Sequence, residues 1–355
     1  SLDPERIVLD LRRGLLAAPD RAEARAAGTA EEVAAGTAFV GEDELFQCFT
    51  CGACEQACPV GIEHVGKKIV DLRRGLVSEG RTGSDKLAGL FRAMERAPHN
   101  GWGASAAVRR KLVEDFPVYD RSREWLLWLG CGCNYDPHGN DVARAMRQLL
   151  DASGVSWGVL AAETCCGDPA RRTGNEYLYM ELSEKVVDAL EQSGAKQHVT
   201  CDPHCCRTLD VDYRQNPRYA ALGLRVVHHT ELLAELLTDL KLNPQEETVA
   251  SHDPGDLARG RGVPDAPRLL LETAGADLVE MAHHGRDTLC CGAGGGQLYI
   301  ADDRRETAER GRPNDLRFAE AARTGATTVA AACPYCPIML DDAAGRAGRT
   351  DVRVL

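Results

Sequence analysis

The chain of 355 residues carries a formal net charge of -12 and nowhere gathers Lys and Arg among aromatics, which excludes a nucleic-acid backbone as partner. Purely apolar runs such as Trp125 to Leu129 are far short of the roughly 20 residues that span a bilayer, so membrane attachment would have to come through another segment or subunit. The 15 cysteines are odd in number and no signal-peptide pattern accompanies them, which argues against a secreted disulfide framework and for metal in a reducing, cytoplasmic compartment.

In chain order, residues 1–44 read as a helix from Pro4 to Leu16 followed by an Ala, Glu and Gly-rich stretch to Thr37, either a frayed helix or a linker. Residues 45–120 hold a cysteine run, apolar residues at helical spacing from Gly66 to Leu76, and further short helices, which makes a small α-helical domain. Beyond it, short apolar runs alternate with amphipathic stretches. Strands are predicted at Trp125 to Leu129, Val155 to Leu160, Gln197 to Thr200, Arg225 to Val227, Thr248 to Ser251, Asp277 to Met281, Thr327 to Ala331 and Asp351 to Leu355. Helices are predicted at Asp141 to Ser153, Asn175 to Ser193, Thr230 to Lys241 and Asp303 to Arg323. Such alternation predicts an α/β fold of parallel sheets with helical crossovers.

This region repeats itself, giving one domain at 121–246 and a second at 247–355. Cys165-Cys166-Gly167 recurs as Cys290-Cys291-Gly292, and Cys201 and Cys205 recur as Cys333 and Cys336. The counterpart of Cys131 falls at Gly255, so the second domain has lost a ligand. Each cysteine follows a predicted strand, and the carboxyl ends of parallel strands are where open sheets gather their ligands.

Cys48-x2-Cys51-x2-Cys54-x3-Cys58-Pro59 has the bacterial ferredoxin spacing, which points three thiolates at one cubane 4Fe-4S cluster. Where two such runs occur, the fourth cysteine of each serves the other run's cluster. Cys48, Cys51 and Cys54 are therefore expected to hold one cubane, with Cys58 reaching toward a second whose other ligands are not in this sequence. The first repeat offers Cys131, Cys133, Cys165, Cys166, Cys201, Cys205 and Cys206, more thiols than one cubane needs. Adjacent Cys165 and Cys166 suit an irregular, non-cubane 4Fe-4S cluster with a shared thiolate. The second repeat keeps Cys290, Cys291, Cys333 and Cys336, enough for a cubane 4Fe-4S cluster or a zinc, unless it is empty. The glycines after Cys291 depart from the dinucleotide fingerprint and read as a wall allowing backbone to approach cluster sulfur. Asp168, Asp202 and Asp253 read as turn and cap residues, and the neighbouring histidines as packing or hydrogen-bonding groups.

Taken together, these residues resemble the cysteine-rich CCG proteins of the heterodisulfide reductase B and D type, and within them the bacterial membrane-associated iron-sulfur oxidoreductases. The resemblance rests on Cys48-Phe49-Thr50-Cys51-Gly52-Ala53-Cys54 through Cys58-Pro59-Val60-Gly61-Ile62, Asp71-Leu72-Arg73-Arg74, Gly167-Asp168-Pro169-Ala170-Arg171-Arg172, Pro203-His204-Cys205, His252-Asp253-Pro254 and Cys290-Cys291-Gly292-Ala293-Gly294-Gly295-Gly296. It implies a helical ferredoxin-like domain followed by two CCG domains, work at the cytoplasmic face of a membrane, and electron transfer between a flavoprotein or other redox partner and quinone or a further carrier. The alternative it leaves is a disulfide reductase acting through Cys165 and Cys166. Two departures bear on the sites. Cys201 and Cys205 are separated by three residues where the family has two, with Cys206 added, and Gly255 stands where the second domain's first ligand belongs.

Overall fold

The computed structural model describes residues 4–17, 40–97, 99–244, 246–300 and 311–355. The first helix, Pro4–Ala17, matches the expected one, whereas the Ala-rich stretch to Thr37 lies outside the described residues. Next come short helices at Glu42–Phe46 and Ala53–Ala57, a wide turn at Val65–Val70 running into Asp71–Ser78, and helices at Asp85–Glu95 and Ala106–Leu112. Asp85–Glu95 starts where the Ser84 hydroxyl accepts the Leu87 N–H, and it buries Leu87, Leu90, Phe91 and Met94, one stripe at helical spacing.

Two four-stranded parallel sheets follow. The first comprises β1 (Trp125–Trp128), β2 (Trp157–Gly158), β3 (Gln197–Thr200) and β4 (Arg225–His228), in the order β2-β1-β3-β4. The second comprises β5 (Thr248–His252), β6 (Asp277–Val279), β7 (Thr328–Ala331) and β8 (Arg353–Val354), in the order β6-β5-β7-β8. Every strand falls where the sequence predicts one. Helix ends differ more: the helix expected from Thr230 to Lys241 stops at Glu235 and gives way to a single tight turn at Leu237–Asp239. The helix expected from Asp303 is described only from Pro313 onward.

Strand β1 is buried on both faces, as a central parallel strand must be. Its alternate residues feed different cores: Leu126 and Trp128 join the cluster shared with the N-terminal helices, and Trp125 and Leu127 join one beneath the helix Pro137–Ser153. In each sheet the chain order reverses beside the central pair, which opens a crevice at the carboxyl ends of β1 and β3, and of β5 and β7.

Candidate metal centres

The ferredoxin-type run turns through two left-handed residues, Thr50 at φ 50° and Gly52 at φ 73°, before entering the helix Ala53–Ala57. Cys48 is buried, and its sulfur accepts the Thr50 N–H at 3.3 Å. Burial, then the neighbouring Cys48 and Cys51, push the Cys54 thiol up to about 11. Cys58 faces the following loop, where the Ile62 N–H reaches its sulfur at 3.4 Å and backbone N–H groups lower its pKa.

In the first sheet unit four thiols form a chain. Cys131 reaches Cys165, which adjoins Cys166, and the Cys166 sulfur lies 3.4 Å from that of Cys205. The Gly167 N–H donates to the Cys165 sulfur at 3.4 Å. Glu163 sets the turn that delivers Cys131: its buried carboxylate accepts the Leu129 and Gly130 N–H groups at 3.1 and 2.7 Å and the Asn134 amide at 2.8 Å. Gly130, at φ 70°, must be glycine, since a Cβ there would lie 2.9 Å from the Cys205 sulfur. Nothing in the sequence spacing marks Glu163 or Asn134 as site residues.

The remaining first-repeat thiols lie elsewhere. The free thiols of Cys133 and Cys201 hydrogen-bond to each other inside the apolar core under Pro137–Ser153, away from the four-thiol chain. Cys206 is buried beside Leu209 and Tyr219, with Arg261 nearby. Strand register explains the sorting. Thr200 pairs with Trp128 in the first sheet and Ala331 with His252 in the second, so the equivalent of Cys333 is Asp202 and the equivalent of Cys336 is Cys205. The match of Cys201 with Cys333 expected from spacing is thus one residue out of step, whereas Gly255 does occupy the place of Cys131. If Cys201 and Cys133 only pack, Cys201→Ala and Cys133→Ala should leave the iron content per chain unchanged and lower stability by about 1–2 kcal/mol, while Cys205→Ala should lose iron. Iron analysis alongside urea unfolding measures both.

The second set draws in the other two units. The Cys291 and Cys336 sulfurs are 3.2 Å apart, Cys336 reaches Cys333, and the Gly292 N–H donates to Cys290 at 3.3 Å. The free thiol of Cys51, in the ferredoxin-type run, is within hydrogen-bonding reach of Cys290. A Cβ at Gly255 would lie 3.5 Å from the Cys51 Cβ, and the Arg259 guanidinium donates to the Cys51 carbonyl at 2.8 Å. From the first sheet unit, His204 reaches Cys333 while its Nδ1 lies 3.1 Å from Asp256. Burial opposes protonation of His204, but Asp256, Cys333 and Asp168 together raise its pKa well above the ordinary range.

These residues fit a sulfur-rich cluster. The His252 nitrogen and the Cys291 and Cys336 sulfurs lie within 4.8 Å of one another. His252 Nδ1 accepts the Arg317 Nε–H at 2.9 Å, and burial and Arg317 lower its pKa to about 3, so the neutral ring carries its proton on Nε2. That Nε2 is buried without a partner, the state expected of a donor awaiting cluster sulfur. Asp168 and Asp253 behave as structural acids: Asp168 pairs with buried Arg172 at 3.0 Å, and Asp253 takes both ends of the Arg268 fork at 2.6 and 2.9 Å. The glycine wall presses on the run itself, since a Cβ at Gly294 or Gly295 would collide with the Phe49 or Cys48 carbonyl.

Two parallel sheets, each accompanied by a Cys-Cys-Gly turn, define a class, and the cysteine-rich domain model of the CCG family matches residues 125–210 and 249–341. The chain belongs to the CCG family of iron-sulfur proteins. It is 37% identical over 318 residues to a protein named as a probable iron-sulfur-binding oxidoreductase, FadF, of Bacillus subtilis, covering 85% of this chain and 43% of that one. It is 33% identical to the EtfAB:quinone oxidoreductase of Syntrophomonas wolfei, covering 85% and 44%. To one of the subunits of the dihydromethanophenazine:CoB–CoM heterodisulfide reductase of Methanosarcina mazei it is 32% identical, covering 88% and 75%. The chain therefore spans less than half the length of the first two. Among the described residues no helix is long and apolar enough to cross a membrane.

Proposed function

We propose that this chain is the iron-sulfur part of an oxidoreductase, carrying electrons between a flavoprotein or other redox partner and quinone or a further carrier. Clusters bound at the three thiol sets would supply one-electron carriers. The observation that carries the reading is contiguity: Cys51 touches Cys290, and His204 of the first sheet unit touches Cys333 of the second. A cubane on Cys48, Cys51 and Cys54, a cluster on Cys290, Cys291, Cys333 and Cys336, and a non-cubane cluster around Cys165 and Cys166 would then sit in one series. Arg259 and Arg73 hold the run against the sheets through the Cys51 and Cys48 carbonyls, which favours fixed spacing between carriers.

The test is anaerobic mixing of the iron-loaded chain with a reduced electron-transferring flavoprotein. Visible cluster absorbance should bleach in proportion to the flavoprotein added. Bleaching by dithionite alone, with none from the partner, would overturn the choice of donor. A second reading, disulfide cleavage at Cys165 and Cys166, draws support from the crevice before them, walled by Tyr299 and Tyr335. Buried Cys133 and Cys206 offer it no accessible resolving thiol. Turnover of a mixed disulfide with a chemical reductant would favour that reading.

A further inference from the structure

We propose that the apolar cavity between the two sheet units is a quinone site, in which a quinol hydroxyl bonds to His229 beside the cluster ligands of the second unit. This rests on reading Cys290, Cys291, Cys333 and Cys336 as a cluster site and quinone as the electron partner.

Three observations converge on it. The first is the cavity itself, about 390 Å³, within the size range of small-molecule sites. Leu233 and Leu240 wall it from the end of the first unit, and Leu270 and Leu271 of the helix Asp265–Thr273 wall it from the second. Strand register explains why the space is there. Val199 pairs with Leu127 in the first sheet and Ala330 with Ser251 in the second, so the second unit has Ala and Ser where the first has Val and Leu. Leu127 and Val199 are fully buried in the core under the 17-residue helix Pro137–Ser153. The corresponding helix of the second unit, Asp265–Thr273, has 9 residues and fully buries only Pro267. Smaller side chains under a shorter helix leave room, and empty apolar space is destabilising unless a ligand fills it.

The second is an unmet polar atom. His229 lines the cavity, and its Nδ1 is buried without a partner, while the ring reaches the Thr200 carbonyl. The nitrogen that bonds a carbonyl must carry the ring proton, which leaves Nδ1 a bare acceptor on a neutral imidazole. It calls for an O–H on an otherwise apolar ligand. A quinol supplies one; a fatty carboxylate would set lone pairs against lone pair. The third is location. Ala332 lines the cavity and precedes Cys333, and Ser251 lines it and precedes His252, whose ring nitrogen lies within 4.8 Å of the Cys291 and Cys336 sulfurs. An aromatic ring held there stands one residue from cluster ligands on two strands. Oxidation of one quinol releases two electrons, taken singly into the second unit's cluster and on to the redox partner, and two protons, which pass to water at the rim beside exposed Leu355. Reduction of quinone is the same exchange in reverse.

The experiment uses the full iron-loaded chain under anaerobic conditions, with 2-naphthol as a fluorescent, redox-inert probe and 2-methoxynaphthalene as its hydroxyl-free counterpart. The native chain should bind 2-naphthol, and Ala330→Leu, which fills the cavity, should weaken binding more than about tenfold at unchanged iron content. His229→Phe should weaken 2-naphthol about tenfold and leave 2-methoxynaphthalene as it was. No binding by the native chain, or equal binding by Ala330→Leu, would overturn the proposal. Should Ala330→Leu not fold, His229→Phe decides it, since an equal effect on both probes removes the hydroxyl contact. Menadione added to chain reduced with dithionite and freed of excess reagent separates the two levels without any flavoprotein. Cluster absorbance should return several-fold more slowly in Ala330→Leu than in the native chain. Equal rates would keep quinone as partner and overturn this cavity as its site. Return in neither chain, with 2-naphthol bound as expected, would reject quinone as the partner and the assignment with it.

Discussion

Replacing Arg73 by alanine should cost the chain about 3–5 kcal/mol and strip iron from the ferredoxin-type run. Arg73 is 0% exposed, and its guanidinium spends its donors on carbonyls. Nε and Nη2 reach the Leu45 oxygen at 3.0 and 2.6 Å, Nη2 reaches the Cys48 oxygen at 2.7 Å, and Nη1 reaches the Arg172 oxygen across the boundary with the first sheet unit at 2.7 Å. Truncation would take the Arg73 donors from the Cys48 and Arg172 carbonyls and leave the Leu45 carbonyl only the Cys48 N–H at 3.4 Å, at about 1–3 kcal/mol for each carbonyl left unserved, offset in part by removing a buried charge. Gly174, at φ 95°, belongs to the same junction, since a Cβ there would meet the Arg73 carbonyl at 2.7 Å. Lysine should rescue little, because one ammonium cannot span carbonyls set out for a planar fork. Urea unfolding and iron content per chain check both halves; a variant within about 1 kcal/mol of the native chain and fully loaded with iron would refute the assignment.

The second large effect is acid sensitivity of the first sheet. His198 in β3, His228 at the end of β4 and His229 after it are held neutral by burial, which lowers His198 and His229 to about 4 and His228 well below its usual range. Both His198 ring nitrogens are buried without a partner. In the unfolded chain each ring takes up a proton near pH 6.5, whereas the folded chain does not until the pH approaches 4. Stability is therefore fully present above pH 6.5 and falls as the pH drops below it. From pH 7 to pH 5 each ring costs about 1.5–2 kcal/mol, and the three together about 5 kcal/mol, comparable with the whole margin of a domain. Glu163 and Asp202, both raised by burial, the latter to about 6, and His204, raised by its acidic neighbours, work in the opposite direction and offset part of this loss. Urea midpoints of the native chain and of His198→Leu, compared at pH 7, 6 and 5, isolate the effect from any shared loss of cluster. Parallel midpoints for the two proteins across that range would count against it.

Much of this molecule is written in local pattern. Strand positions follow from short apolar runs bounded by turn residues, because a central parallel strand such as β1 is apolar on both faces. Spacing marks Cys48, Cys51 and Cys54 as one group, since a single tight turn is enough to gather them. The duplication, and with it the loss of a cysteine at Gly255, is likewise legible.

Side-chain direction at strand ends was not legible, because a shift of one residue turns a side chain to the opposite face. Cys201 continues the alternation of β3 into the core that holds Val199, and Asp202 takes the site position, although spacing favours the cysteine. Cys133 follows Cys131 by two residues on the helix Gly130–Tyr135, about 200° around its axis, and so faces the other core. Cys206, next to Cys205 on Pro203–Arg207, is turned about 100° away by the same geometry. Contacts between units depend on how the helical part and the two sheets pack, and no local pattern records that. The sequence by itself determined the elements, the duplication and the run of three thiols; the tertiary structure alone decided that Cys51 meets Cys290, that His204 meets Cys333, and that Asp202 rather than Cys201 faces the first cluster site.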